Sequence, residues 1–377
     1  MCVSDYETLR EMLGAIHYGV LAACFVLFVP MVMAGWHLSR NKMLFFSGAL
    51  FISLAVCVHL TPYFPSVSDI VASVSSVVVY DHRISCINEV NQIVWDVKPV
   101  RRRSNNNGST TKLDYFDKNW DWMKSRKVLS CEFQKLDRFD VSDLLNGSWV
   151  VVAGDSQARF VALSLLSLVL GSDSKSLGSV KDDLFKRHSD YTLVVKEIGM
   201  KLDFVWAPYE KDLDDLVVSY KKMNKYPDVL IMGSGLWHML HVNNASDFGF
   251  QLKQLSSHVE SLVPLRPKEQ EGGGSVSGRS MHLFWIGMPV LINGMLNTDE
   301  KKHKMSDTVW HEYDRSLGES KILRQMGGPL ILLDIQSFTW NCGPQCTLDG
   351  MHYDSAVYDA AVHVMLNALL IESHQTL

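Results

Sequence analysis

The stretch SWVVVAGDSQARFVALSLLSLVLG, residues Ser148 to Gly171, opens on an uninterrupted apolar run from Trp149 to Ala153. It turns at Gly154-Asp155-Ser156 and continues in a segment of helical length that ends at Gly171. A short apolar run without polar alternation reads as a strand buried on both faces, and Gly171 supplies a helix stop. Working outward, more buried-strand candidates follow: YTLVVKEIGMKLDFVWAP, which can fold as a hairpin, then PDVLIMGSG, HLFWIGMPV and GPLILLDIQ. Helix-compatible polar stretches separate most of them. Alternation of this kind predicts an α/β fold in three αβα layers, with a mainly parallel sheet covered on both faces. Ligands in such folds sit outside the carboxyl ends of the strands.

That rule makes the turn at Ser156 the first place to look for chemistry. A serine between a strand and a helix holds its hydroxyl at the carboxyl edge of the sheet, where its own N–H and the helix N-terminus offer donors to a developing oxyanion. Gly154 lets the chain turn tightly and a substrate approach closely. The plainer reading is a helix N-cap, for which Asp155 and Ser156 are both good residues. At the far end, CTLDGMHYDSAVYDAAVHVMLNALL places Asp349 and His352 in a loop just before a terminal helix, expected to be amphipathic. A serine nucleophile needs a base, and the base needs an orienter that fixes its tautomer; a carboxylate three residues before a histidine can accept from Nδ1 and leave Nε2 for the serine. A structural histidine beside Tyr353 is the alternative. Trp237 and His238 follow a strand end, where a sugar could stack on the indole or the ring could simply pack in a loop. His303, His311 and Asp314 fall in NTDEKKHKMSDTVWHEYD, which reads mainly as a charged, solvated helix.

The first sixty residues have a different character. Ile16 to Gly35 and Met43 to Leu60 are apolar stretches of bilayer-spanning length, joined by WHLSRNK. Asp5, Glu7 and Glu11 against the single Arg10 are not the basic leader of a signal peptide. Arg40 and Lys42 in the hinge favour a cytosolic hinge, with residues 1–15 and everything beyond 60 on the lumenal side. Residues 61–110 then read as a juxtamembrane stalk and 111–377 as the lumenal domain. Three N-x-S sequons, at Asn107, Asn146 and Asn244, all lie beyond the second stretch. Of the 7 cysteines, Cys86, Cys131, Cys342 and Cys346 fall in the large region. Four cysteines allow two disulfides in three connectivities. A zinc site at Cys342-x-x-x-Cys346 lacks a second well-spaced pair, and no metal is expected. The net charge of −5 gives no general attraction for a phosphate backbone, so nucleic acid is not an expected partner. Arg101-Arg102-Arg103 beside an Asn-rich run reads as a solvated loop, and Glu271 to Ser280 as a flexible surface loop.

Together GDS-x-x-R (Gly154, Asp155, Ser156, Arg159) near the domain's start and D-x-x-H (Asp349, His352) near its end resemble the SGNH/PC-esterase superfamily. Within it, the paired spans, the GDSQARF string and the DGMHYD ending look like the plant trichome-birefringence-like polysaccharide O-acetyltransferases, over nearly the whole chain. The resemblance implies a Golgi membrane protein with a lumenal SGNH-like domain and an acyl-enzyme at Ser156. It also implies a cell-wall polysaccharide acceptor, other acetylation proteins as partners, no bound cofactor and an acetyl donor that stays unidentified. One element departs from the pattern. SGNH proteins supply an Asn and a Gly from middle blocks as oxyanion donors, whereas this chain has Gly233-Ser234-Gly235-Leu236-Trp237-His238 after VLIM. The backbone N–H groups of Ser156 and Gly235, with Arg159 as a charged donor, are the expected replacement. Asn243, Asn244 and Asn293 are other donors, and Arg159 pairing with a surface acid is its plainer role. The same triad serves an acetyl esterase when water replaces the sugar hydroxyl, and a non-catalytic acetyl-transfer intermediate or scaffold keeps the fold without the turnover.

Overall fold

The computed structural model describes residues 86–100, 115–171, 175–262 and 281–373, all of which fall in one compact unit. The two expected spans, Asn107 and the Arg101–Arg103 cluster lie outside them. In chain order the elements are β1 (Ile93–Val100), β2 (Tyr115–Trp122), α1 (Arg138–Leu144), β3 (Trp149–Gly154), α2 (Ser156–Leu170), α3 (Lys175–Leu184), β4 (Tyr191–Val195), β5 (Met200–Trp206), α4 (Glu210–Met223) and β6 (Val229–Gly233). They continue with α5 (Leu236–His241), α6 (Ala245–Glu260), β7 (His282–Ile286), α7 (Asp299–Lys304), α8 (Asp307–Glu319), β8 (Ile331–Leu333), α9 (Ile335–Cys342) and α10 (Ser355–Ser373).

The main sheet has the order β4-β5-β3-β6-β7-β8, parallel except for β4, which forms the expected hairpin with β5. Alternation along β3 explains the layering. Val150 and Val152 belong to a core shared with Ala158, Val161 and Leu165 of α2 and with Val357, Ala361 and Met365 of α10. Val151 and Ala153 point the other way, into a core with Leu213 and Val217 of α4, Phe248 and Leu252 of α6, and Trp310 and Tyr313 of α8. All of these except Trp310 are at or near zero exposure, and burying a side chain of Val or Leu size contributes roughly 1.5–3 kcal/mol. The strand is apolar throughout because neither face meets water.

Three expectations change. Residues 86–100 belong to the folded unit, although the segment 61–110 reads as a stalk: β1 pairs antiparallel with β2, Trp122 Nε1 donates to the Val90 carbonyl at 3.0 Å, and Cys86 is bonded to Cys131. GPLILLDIQ is only partly strand. Asp334 accepts from the Ser337 N–H at 3.0 Å and starts α9, ending β8 at Leu333. The terminal helix α10 is not amphipathic, for Val357, Ala360, Ala361, Val362, Val364, Met365, Leu366 and Ala368 are all buried. Its outer side is covered too, where Asp359 accepts from Trp120 Nε1 at 2.8 Å and Asn367 donates to the Gln134 carbonyl at 2.8 Å. By length and apolarity alone α10 would pass for a membrane span, yet most of it is core.

Candidate active site

The two readings of Gly154-Asp155-Ser156 turn out to be divided between two residues. Asp155 is the N-cap of α2, and its Oδ1 accepts from the Gln157 N–H at 2.9 Å. Ser156 is the first residue of the helix, so its hydroxyl is free for another partner. Gly154 has φ 153° and lies in register with Gly233 of β6. A Cβ there would sit 2.3 Å from the Gly233 carbonyl oxygen, so only glycine allows the two strand ends to close up beside the serine. Burial pushes the Asp155 carboxyl up to about 6, against the Gln157 N–H and the nearby His352 and Arg159, which favour the charged form.

Ser156 Oγ lies 2.8 Å from His352 Nε2, and His352 Nδ1 lies 2.7 Å from Asp349 Oδ2. A carboxylate only accepts, so Nδ1 carries the proton and Nε2 is the acceptor for the serine hydroxyl. Asp349 is itself held by a local turn, with Oδ1 accepting from the His352 N–H at 2.7 Å and the Met351 N–H at 3.0 Å. Burial alone would raise its pKa; the bonds from His352 and Met351 outweigh that and hold the carboxyl below its ordinary value, ionised to orient the imidazole.

The loop is fastened to its surroundings by backbone and side-chain bonds. The Ile292 N–H donates to the Gly350 carbonyl at 2.8 Å, Thr347 Oγ1 donates to the His352 carbonyl at 2.6 Å, and Cys342–Cys346 is a disulfide just upstream. One fastening is absent from the sequence reading. Gln157 Nε2 donates to the Met351 carbonyl at 3.1 Å while its Oε1 accepts from Tyr358 OH at 2.7 Å, so the residue after the serine ties α2 to the histidine loop and to α10. Phe160, one turn further on, stacks on Tyr358 at 4.9 Å and packs 5.6 Å from the His352 ring. From Phe160 the outer stripe of α2 runs through Ser164 and Ser167 along a cleft of about 630 Å³ shared with Lys118, Lys135 and Asp359.

The oxyanion candidates separate. Gly235, with φ 124°, begins α5 just beyond the end of β6, and a Cβ there would meet Met288 Sδ at 2.6 Å. Among the described residues Arg159 makes no ion pair with a surface acid. It is buried among aromatic rings, its guanidinium carbon 5.0 Å from the centre of Phe204, 4.8 Å from Trp206 and 5.7 Å from Phe185. Among the described residues its Nε and Nη2 have no hydrogen-bond partner. Asn243 is spent elsewhere, donating to the carbonyls of Met239 and Lys304, both at 2.8 Å, and Asn293 Nδ2 donates to the Lys302 carbonyl at 2.6 Å. Asn244 Oδ1 caps α6 through the Asp247 N–H, and both Asn244 and Asn146 are exposed.

His238, a candidate substrate contact, is placed in the interior. It is buried, with Nδ1 2.8 Å from Tyr313 OH, Nε2 3.0 Å from Asp247 Oδ2, and the fully buried Glu210 at 3.9 Å. Trp237, next to it, is half-buried in a group of aromatic rings. His303 and His311 lie on α7 and α8, as the charged-helix reading expects. Among the described residues, no group of three or more His, Cys, Asp or Glu side chains could hold a metal ion.

No family model matches the chain. It is 92% identical over 369 residues, 97% of its length and 100% of the relative's, to Protein Altered Xyloglucan 9 of Arabidopsis thaliana. Among solved structures, Axe2, an acetylxylan esterase from Geobacillus stearothermophilus, overlaps with a TM-score of 0.32 at 13% identity, covering 60% of this chain and 95% of that one. LAE5, an α/β hydrolase enzyme from the metagenome of Lake Arreo, Spain, overlaps with a TM-score of 0.34 at 14% identity, covering 60% and 96%.

Proposed function

The chain belongs to the Altered Xyloglucan 9 family, and from that premise we propose that it is a cell-wall polysaccharide O-acetyltransferase acting through an acyl-enzyme at Ser156. The observation that carries this reading is the unbroken line from Ser156 Oγ to His352 Nε2 at 2.8 Å and from Nδ1 to Asp349 at 2.7 Å. In the first half-reaction His352 takes the hydroxyl proton as Oγ attacks the acetyl carbonyl of the donor. The imidazolium then returns that proton to the leaving group, and acetyl-Ser156 remains. In the second half-reaction His352 deprotonates a sugar hydroxyl, which attacks the acetyl-serine; the collapse releases the sugar acetate and regenerates the serine.

The oxyanion of each step is stabilised in this reading by the Ser156 and Gly235 N–H groups. The first of these is a helix-terminal N–H without an intrahelical partner. Arg159 adds positive charge from behind. The two N-terminal apolar stretches anchor the protein in the Golgi membrane, with the described domain lumenal and Asn107, Asn146 and Asn244 open to glycosylation.

A second reading, acetyl esterase, is favoured by one observation: the His352 side chain retains 28% exposure, so the base is open to solvent. The two separate by product. With an acetyl donor and xyloglucan or xylan oligosaccharides, the purified protein forms acetylated sugar in excess of free acetate; acetate without acetylated sugar means the esterase. A plant line lacking this protein also discriminates. If a Ser156→Ala transgene restores wall acetylation fully, the protein is a non-catalytic scaffold or intermediate and the triad is not its working part.

A further inference from the structure

The strand that leads to Ser156 is flanked by two strands that each lead to an indole. Trp206 ends β5 in register with Gly154, and Trp237 follows β6, whose Gly233 is also in register with Gly154. The two rings meet with centroids 5.4 Å apart and planes at 86°. His188 stacks on Trp206 at 4.9 Å and 20°, and stands at 83° to Trp237 at 5.1 Å. The result is a right-angled corner at the nucleophile's edge of the sheet: an imidazole–indole stack forms one wall and a single indole the other.

Trp206 packs against the core shared with α2 and α10, but the corner stays open: His188 is exposed and both indoles are only half-buried. Rings of this size left open beside a reactive group mark a binding surface more often than an unfinished core. His188 lies in the turn that follows α3 and holds a left-handed φ of 52°. The corner is preorganised, since Arg159 packs 4.8 Å from Trp206 and His241 lies 4.9 Å from Trp237.

We propose that His188, Trp206 and Trp237 form the acceptor subsite, seating one pyranose ring of a glycan next to Ser156. A pyranose offers an apolar C–H face, which lies against an aromatic wall, and a rim of hydroxyls, for which imidazole nitrogens are matched partners. Two perpendicular walls fix both the face and the edge of the ring, which selects the hydroxyl that points at His352. The proposal rests on the acyl-transfer reading of Ser156, but its test needs no turnover.

Binding of a xyloglucan-derived oligosaccharide is measured by calorimetry in the Ser156→Ala background. Adding Trp237→Ala weakens binding by about tenfold or more, and Trp237→Phe in its place restores most of the affinity. Unchanged affinity in Trp237→Ala overturns the subsite, as does a Ser156→Ala protein that binds no oligosaccharide. Failure of the acyl-transfer reading looks different: no acetyl group is found on Ser156 of the wild-type protein, whatever the oligosaccharide does.

Discussion

Asp349 accepts three hydrogen bonds within its own tetrapeptide, two at Oδ1 from backbone N–H groups and one at Oδ2 from the imidazole. Asp349→Asn separates these roles. Its Oδ1 still accepts from both backbone groups, so the turn survives, but the amide nitrogen now donates toward Nδ1 and moves the ring proton to Nε2, where it blocks the serine. Turnover should fall on the order of 10³- to 10⁴-fold with melting temperature little changed. A loss below tenfold would mean that the carboxylate does not set the tautomer. Ser156, His352 and Asp349 were legible as candidates because the turn after a strand and the D-x-x-H spacing are local signals, and the structure joins them by hydrogen bonds. Gln157 was not, because both its partners, Met351 and Tyr358, come from the other end of the chain. His238 differs in part: Asp247 follows it closely in the chain, but Tyr313 comes from a helix that nothing near His238 in the sequence announces.

The β1–β2 hairpin and the segment after it act on the site as a cover for α10 rather than by touching the triad. Trp120, Leu136 and Gln134 bond to Asp359, His363 and Asn367 along the outer side of the helix whose N-terminus follows the histidine loop. The disulfide Cys86–Cys131 closes a 45-residue loop around that hairpin, and a closure of such length is worth about 4 kcal/mol in the chain-entropy account. Replacing both cysteines by serine is therefore expected to cost about 2–4 kcal/mol in denaturant unfolding. Wild-type stability in the double variant would show that the hairpin is held by β1–β2 packing alone. Strand-helix alternation after residue 148 was legible from apolar runs and turn residues. The hairpin was not, since the adjacent Asp117 and Lys118 put charge on both faces of YFDKNWDW and the short, charged WDVKP lacks the signal of a buried strand. The covered outer side of α10 was missed with it, because a helix whose second face is buried by a distant hairpin reads as amphipathic only until that hairpin is placed.

Across the whole molecule the carboxyl edge of the sheet concentrates acids that the solvent does not reach. Asp155 is pushed up to about 6 and the fully buried Glu210 to about 7, in each case first by burial. Both folded values lie above the ordinary 3.8 and 4.5. Their contribution is therefore fully present below the ordinary carboxylate range and is lost as pH rises through 6 to 7, by up to roughly 3 kcal/mol for Glu210. Asp349, Asp203 and Glu372, whose values are lowered, act in the opposite sense and lose their contribution as pH falls through the acid range. Stability should peak in mildly acidic solution, and Glu210→Gln should flatten the decline between about pH 5 and 8 in thermal melts. Parallel curves for wild type and Glu210→Gln would remove Glu210 as the cause. Peptide mass spectrometry of the protein after brief exposure to an activated acetyl ester tests acyl transfer at Ser156 most directly. An acetyl group on Ser156 that is absent in His352→Ala and discharged by added oligosaccharide is the predicted result; an unmodified Ser156, or equal labelling without His352, contradicts it.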